Sequence, residues 1–456
     1  MWGHFMLMGN TNVQNSLELL KLRKTTNQLS EQDFGKEVIV AGYIDNIRAI
    51  GKNLTFMDLY DQYGSIQLTL KDSIYESIEN MPKLTRHSFI LASGKLVNGK
   101  AKGGMEIEVK RSVLLNEKPS MPIPIGLDGQ NTGLDKRMDY RWIDLRNPEH
   151  RMPLELVSLF VMTARDYFCK NGYTEIFTPK IVGYPMEGGA ELFMLPYFNK
   201  EAYLAQSPQF YKQMAMCSGF EKVFEVAPVF RANPSFTTRH DTEYTSLDME
   251  IAYILSHHDI MSEEQHMFNY VFEKMGNECA AKPKEYINTK ILPPGEIPKI
   301  KMEEVYEIVP KENVSEDGDL TPEGERDIAK YIQETYSNDF VFIYDYPLKT
   351  RPFYHMLAEP MKNGMETTKS FDLLYKGVEV TTGAQREHNY EKLAKNIVRK
   401  GLTLDHLEYY IELFKYGAPP HGGLGLSPTR VIKQLLNIQN VKEVTFAPRD
   451  PKRLTP

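Results

Sequence analysis

Between residues 35 and 116 the chain carries five short runs in which apolar and polar residues alternate: KEVIVAGYIDNIR, NLTFMDLYD, GSIQLTL, SFILASGKLV and MEIEVKRSVLL. Alternation with a period of two places one residue set on each face of a strand, so such runs bury one face and wet the other. Turn-forming residues separate them at Gly64, Asn98-Gly99 and Gly103-Gly104. Five strands of this length within about 80 residues predict a small closed barrel.

Two scaffolds satisfy that pattern. One is the OB-fold, which binds oligonucleotides; the other is an SH3-like or similar barrel with no nucleic-acid role. The remainder of the 456 residues follows a different pattern. Residues 13–34 read as a polar, Leu-bearing helix and a loop. The Pro-punctuated NEKPSMPIPIGLDGQ reads as a connection. After it, helical sequence (LELVSLFVMTARDYFCKNG) mixes with apolar strands (KVFEVAPVF, FVFIYDYP, FDLLYKGVEVTTG), and residues 280–302, with many Lys and Pro, read as a surface insertion. No internal repeat is visible. The expected division is an N-terminal extension over 1–34, the barrel over 35–116, a hinge over 117–150 and a second domain over 151–456.

Composition narrows the class. Hydrophobic residues at 41% and charged residues at 25% supply an ordinary globular core. A net charge of −7 excludes a simple polycation that coats nucleic acid, though not a local basic patch. The three cysteines, Cys169, Cys217 and Cys279, form no CxxC pair, which argues against a disulfide framework or a Cys-based zinc site and suits a reducing compartment. The start, MWGHFMLMGN, lacks a basic leader, and no apolar run approaches the roughly 20 residues of a membrane span. A soluble, cytoplasmic protein is expected.

Two segments carry the strongest chemical signals. In VFEVAPVFRANPSFTTRHDTEYTSLDMEIAYI, strand-like alternation breaks at Asn233-Pro234 and resumes, predicting a hairpin with Arg231, Arg239 and His240 near its loop. Cations on paired strands suit a polyphosphate, and arginine offers a planar fork; taken alone, an Arg at a strand end is more often a surface ion-pair partner than a ligand. In GAPPHGGLGLSPTRVIKQLL, a Gly-rich strand leads to a Ser-Pro helix start with Arg430 in the first turn. Neither a P-loop nor a Rossmann fingerprint occurs.

With their neighbours, these segments resemble the signature of the class II aminoacyl-tRNA synthetases. GYTEIFTPKIV with Pro179 is similar to the dimer-forming first motif, FRA…TRH…E to the second and GLGLSPTR to the third. LDKRMDYRWIDLR, EGGAELF, AQSPQFYKQ, EVTTGAQREH and the closing PRDPKRLTP resemble the aspartyl branch in its archaeal and eukaryotic form. The resemblance covers the chain from about Gly35 onward. It implies an α+β architecture: an OB-fold anticodon-binding barrel, then a catalytic domain built on an antiparallel sheet flanked by helices.

The resemblance also implies roles. Arg231 and Arg430 would be catalytic and, with Arg239, His240 and Glu379, would bind ATP. Asp372 and Glu379 would hold Mg²⁺, for which hard oxygen ligands are suited. Glu187, Gln209, Lys212, Asp248, Thr382 and Arg386 would bind aspartate, with Arg386 and Lys212 on its side-chain carboxylate. Arg48, Phe56 and Gln67 would contact the tRNA anticodon, and Pro179 would lie in a homodimer interface. Phe56 is equally readable as barrel core. Two departures stand out: Asn233 where the second motif usually has Glu, and Ser427-Pro428-Thr429 before Arg430 in the third. An asparaginyl enzyme, a non-catalytic tRNA-binding paralogue and an unrelated nucleic-acid binder are the rival readings. Tyr43 and the Lys102-Gly103 turn are candidates for deciding whether tRNA(Asn) is accepted besides tRNA(Asp).

Overall fold

The computed structural model describes residues 18–50, 54–71, 84–99, 104–116, 121–125, 132–184, 191–234, 238–239, 241–281, 289–405 and 407–456. They form two compact units that divide between Pro122 and Ile123.

The first unit is a closed five-stranded barrel of β1 (Glu37–Ile50), β2 (Leu54–Tyr60), β3 (Ser65–Lys71), β4 (Phe89–Asn98) and β5 (Met105–Asn116), in the order β1-β2-β3-β5-β4. Pairing is antiparallel except between β3 and β5. The alternation has its expected consequence: Val38, Val40, Ile44, Met57, Leu59, Leu68, Ile90, Leu96 and Ile107 point inward and pack together. Ahead of the barrel, the described part of the segment expected to be a helix and loop is helical at Glu18 and Leu19 and continues in short 3-10 turns at Leu20–Leu22, Thr26–Gln28 and Glu31–Asp33. The second and third begin at boxed Thr25 and Ser30 caps.

The second unit is organised by an eight-stranded sheet. Its strands are β6 (Thr174–Glu175), β10 (Lys222–Phe230), β11 (Glu243–Ala252), β12 (Lys299–Lys301), β13 (Phe340–Tyr344), β14 (Ser370–Tyr375), β15 (Val378–Gln385) and β16 (His421–Leu426), ordered β12-β13-β14-β15-β16-β11-β10-β6. Only the outermost pairs, β12–β13 and β6–β10, are parallel. A separate three-stranded sheet joins β7 (Ile181–Val182), β8 (Met194–Tyr197) and β9 (Lys200–Leu204).

Period two divides the large sheet into two faces. Phe224, Met249, Leu424 and Phe371 face α3 (Pro148–Lys170) and α5 (His257–Ala280), where Leu156, Phe160, Phe268 and Phe272 complete the core. Each helix starts where its cap dictates: the Asn147 side chain accepts from Glu149 N ahead of Pro148, and Ser256 accepts from His258 N. The opposite face carries a continuous row of cross-strand partners, Asp372–Thr382–Gly425–Asp248–Glu225, running from β14 to β10. Alongside that row lies Ala384–Gly423–Glu250. Small residues on β15 and β16 therefore leave space above a strip bordered by carboxylates.

This second face is covered at its two ends. α6 (Met302–Ile308) and α7 (Pro322–Tyr336) pack over β13 and β14. At the other end, α4 (Gln209–Cys217), α8 (Tyr390–Arg399) and α9 (Glu408–Lys415) cluster around Phe210, Phe353 and Tyr410. α10 (Pro428–Leu435) follows β16 directly, with Ser427 as its cap.

Three expectations need correction. FDLLYKGVEVTTG is a hairpin rather than one strand: Lys376 and Gly377 take φ of 48° and 72°, the left-handed pair that a two-residue turn requires. The stretch 117–150, expected to be a hinge, holds α1 (Leu134–Asp139), α2 (Arg141–Asp144) and the first residues of α3. Arg141 anchors it by donating to Asp144 and to the carbonyls of Glu443, Thr445 and Phe446. The 280–302 segment is not wholly superficial, because Ile291 and Ile297 are buried in the core and β12 extends the sheet. Among the described residues no helix is long and apolar enough to cross a membrane, and Cys169, Cys217 and Cys279 form no disulfide.

Candidate active site

A cavity of about 520 Å³ opens where the β14–β15 hairpin, α7 and the start of α10 converge. Arg239, Asp319, Glu325, Tyr346, Asp372, Glu379 and Arg430 are among the residues that line it. Four of these, Arg239, Asp372, Glu379 and Arg430, were singled out by sequence. A bulge explains how the two carboxylates meet. Leu373 pairs with Thr381 but Leu374 with Glu379, so Val380 is an extra residue, and Glu379 comes to share a face with Thr382 and Asp372.

Most charges in the cavity are held by another. Arg430 Nη1 donates to the Glu379 carbonyl at 3.0 Å and to its carboxylate at 3.3 Å, and Thr382 Oγ1 donates to the same carboxylate at 3.2 Å. Burial pushes the Glu379 carboxyl up, but Arg430, Arg351 and Arg231 outweigh it and hold it below its ordinary value. Arg351, stacked 3.8 Å above the Tyr346 ring, grips both Asp372 oxygens at 3.0 and 2.5 Å. Burial, only partly offset by Arg351, and the nearby Glu379 push Asp372 up to about 6. Arg239 pairs with Glu325 at 2.5 Å; burial raises Glu325 to about 7 against that pull. Two carboxylates sharing one buried face, with one pushed towards protonation, suit a divalent cation. Mg²⁺ is commonly held by one or two carboxylates plus phosphate oxygens.

Arg231 sits at the end of β10, exposed, with its guanidinium 5.9 Å from the Tyr244 ring. The C-terminal segment holds Thr238, Asp241 and Thr242 in place. Val441 N donates to Thr238 O, Thr242 N to Arg449 O, and Thr445 Oγ1 to Asp241, whose carboxyl burial raises to about 6. This gives the closing PRDPKR sequence a structural purpose. His240 and Glu187 lie outside the described residues.

Beside the cavity, a chain of buried charges crosses the sheet. Lys212, 1% exposed, donates to Asp248 at 2.8 Å and to the Leu424 carbonyl at 3.0 Å, and lies 3.6 Å from Glu250. Glu250, fully buried, accepts from Arg386 Nε at 2.9 Å and Nη2 at 3.4 Å. Burial raises the Glu250 carboxyl, yet Arg386 and Lys212 hold it below its ordinary value. Asp248, read from sequence as an acceptor for a substrate ammonium, is held by Lys212 and by Ser246 Oγ at 2.5 Å. Gln209 donates to Gln213, which in turn touches His421 and Tyr410. Thr382, expected against aspartate, stands beside Glu379. Buried Glu225 accepts from Thr178 N and Oγ1 and from Lys180, fixing the residues on either side of exposed Pro179.

Sequence reasoning missed Glu250, Arg351, His355 and Glu325. Glu250 had a signal: two residues beyond Asp248 on a strand, it must share that residue's face. Arg351 and Glu325 come from segments remote in sequence and carried none.

In the barrel, Arg48, Phe56 and Gln67 line one cavity of about 500 Å³ with Ile50, Asn98, Gly99 and Glu106. Phe56 is half-buried and opposite Arg48, while Thr55, Met57 and Leu59 turn inward, so Phe56 is not barrel core. Gln67 Nε2 donates to Glu106 at 2.8 Å and its oxygen faces Arg48 at 3.3 Å. Tyr43 packs against Tyr60 and Phe89, away from that set; the Lys102-Gly103 turn lies outside the described residues.

A sheet with a carboxylate-bordered strip, flanked by two arginines and preceded by a nucleic-acid-type barrel, is the arrangement of one enzyme class. Residues 133–451 match the family described as tRNA synthetases class II (D, K and N), and residues 38–115 match the OB-fold nucleic acid binding domain. The chain belongs to the class II tRNA synthetases. Its curated relatives are more particular. An aspartate–tRNA(Asp/Asn) ligase of Aeropyrum pernix is 40% identical over 92% of this chain and 96% of its own. An aspartate–tRNA(Asp) ligase of Thermococcus kodakarensis is 38% identical over 94% and 99%. Among solved structures, asparaginyl-tRNA synthetase from Pyrococcus horikoshii complexed with asparaginyl-adenylate superposes with a TM-score of 0.85 at 29% identity, covering 95% of this chain and 99% of that one.

Proposed function

We propose that the chain joins L-aspartate to tRNA(Asp), using ATP and passing through an aspartyl-adenylate. The observation that carries this reading is the shared sheet face: the arginine- and carboxylate-lined cavity adjoins the buried chain Lys212–Asp248, Glu250–Arg386. The first step brings a carboxylate against a phosphate, two anions, so it calls for positioned cations more than for a general base. Arg231 and Arg430, with Arg239 and His240, bind the nucleotide's phosphates. Glu379 and Asp372 would hold Mg²⁺, which would supply positive charge against the phosphate oxygens. Thr382, at hydrogen-bond distance from Glu379, steadies that carboxylate.

Arg386 and Lys212 supply the positive charge that an aspartate side chain needs. Each is held in place by a buried carboxylate, Asp248 or Glu250, and turns its remaining N–H donors to the incoming group. A carboxylate satisfies such donors; an amide presents its own N–H₂ to them and is rejected. Gln209 and Glu187 complete the surroundings of the amino acid. In the barrel, Phe56 stacks on an anticodon base whose edge Gln67 reads, with Arg48 beside it. Segments around Pro179 form a homodimer interface, supported by the exposure of Phe177 and Ile181 next to it. We place the enzyme in the cytoplasm.

Aspartate-dependent ATP–pyrophosphate exchange, followed by charging of tRNA(Asp) and tRNA(Asn) transcripts, tests the reading. Exchange with aspartate that is lost in Arg386→Ala supports it. Exchange with asparagine instead would turn the assignment to the asparaginyl enzyme.

A further inference from the structure

The Arg386 guanidinium has five N–H groups and no acceptor. Three are spoken for: those of Nε and Nη2 on Glu250, and one of Nη1, which lies 3.0 Å from His355 Nε2. Because arginine can only donate, His355 Nε2 must accept. That fixes the ring as the neutral tautomer with its proton on Nδ1. Burial and the Arg386 charge act in the same direction, holding the His355 pKa well below its ordinary value, so the acceptor form persists across neutral pH. Both side chains are almost fully buried.

Their backbones are joined as well. His355 and Arg386 form an antiparallel bridge, Met356 N donates to Gln385 O, and Glu387 N donates to Tyr354 O. The Tyr354 ring lies 5.6 Å from the guanidinium carbon. The Glu250 contact alone fixes one edge of the guanidinium plane, about which the far end can still tilt. A second contact at Nη1 removes that freedom. Two N–H groups remain, one on each terminal nitrogen. His355 Nδ1 has no hydrogen-bond partner among the described residues, a cost that an apolar ring serving only as packing would avoid.

We propose that His355 is a specificity-determining positioning residue, which by accepting from Nη1 holds Arg386 so that its two remaining N–H groups meet the side-chain carboxylate of aspartate. The inference rests on the aspartate-activating reading and deepens it. A rigid pair of donors demands two acceptors and so separates aspartate from asparagine. A guanidinium free to tilt can settle for the single oxygen of the amide, and discrimination falls.

The test compares His355→Leu with His355→Gln in aspartate- and asparagine-dependent ATP–pyrophosphate exchange by the full chain, with thermal melting as a check on folding. Losing a hydrogen bond to a charged group, His355→Leu should raise the aspartate KM about tenfold or more. It should leave the ATP KM unchanged and lower the aspartate-over-asparagine ratio of kcat/KM. The Gln side chain, whose carbonyl can replace Nε2, should recover most of both. An unmoved aspartate KM overturns the inference, as do parallel losses for aspartate and ATP that Gln does not restore. A wild-type chain that exchanges with no amino acid overturns the underlying reading and the inference with it.

Discussion

Lys212, Asp248, Glu250 and Arg386 lie almost entirely out of water, where an ion persists only if it is paired and hydrogen-bonded. Glu250 is the shared member, touching both cations. Glu250→Gln leaves two buried cations short of a counter-charge, and such removal typically costs about 3–5 kcal/mol. We expect a clear fall in melting temperature together with lost aspartate activation, read by calorimetry and exchange; an unchanged melting temperature would refute the buried chain. Glu264 on α5 is a different case. It is fully buried on the core side of the sheet, and burial, only partly offset by Thr381, pushes it up to about 8. Its folded pKa exceeds the ordinary 4.5, so its contribution to stability is complete below about 4.5 and is lost as pH rises through about 8. Glu264→Gln should flatten that decline, gaining on the order of 2 kcal/mol over the wild type at pH 9. Melting curves from pH 5 to 9, as an experimental range of about four units, would check the sign. Most single residues of the site were legible because charged residues flank strands in recognisable motifs. Their partners were not, since Arg351 reaches Asp372 only through tertiary packing.

At the scale of elements, the cavity depends on how strands and helices begin and bend. Ser427 accepts from Arg430 N and so caps α10 at the turn that carries Arg430. Ser427→Ala should cost about 1 kcal/mol and raise the KM for ATP more than that for aspartate. Equal changes in both would show that the cap does not orient Arg430. Gly423 shows why β16 is glycine-rich: an added Cβ would sit 2.1 Å from the Met249 carbonyl and 2.2 Å from Glu250 Oε2. Strand alternation announced the barrel and β10, because period two is a local property. The Val380 bulge and the pairing order of β14, β15, β16 and β11 were not announced. The pairing of β16 with β11, which sets Gly425 beside Asp248, joins positions far apart in the sequence that no local window contains.

For the whole molecule, the separation into two units predicts separable effects. Phe56 belongs to the barrel, and amino-acid activation belongs to the second unit. Phe56→Ala should therefore leave aspartate-dependent exchange at the wild-type level while lowering kcat/KM for tRNA charging about tenfold to a hundredfold, the range expected for one lost base stack. A parallel loss of exchange would mean that Phe56 serves the fold. The change of pattern near residue 120 made the two-part organisation readable, whereas the helices at 134–150 were hidden by a polar, Pro-flanked stretch whose order comes from Arg141 and the C-terminal carbonyls.

The most direct test of the central claim is pyrophosphate exchange by the wild-type chain with aspartate and asparagine supplied separately, repeated with Arg386→Ala. The account predicts exchange with aspartate, at most a trace with asparagine, and none with aspartate in the variant. Exchange with asparagine alone, or undiminished aspartate exchange in Arg386→Ala, would contradict it.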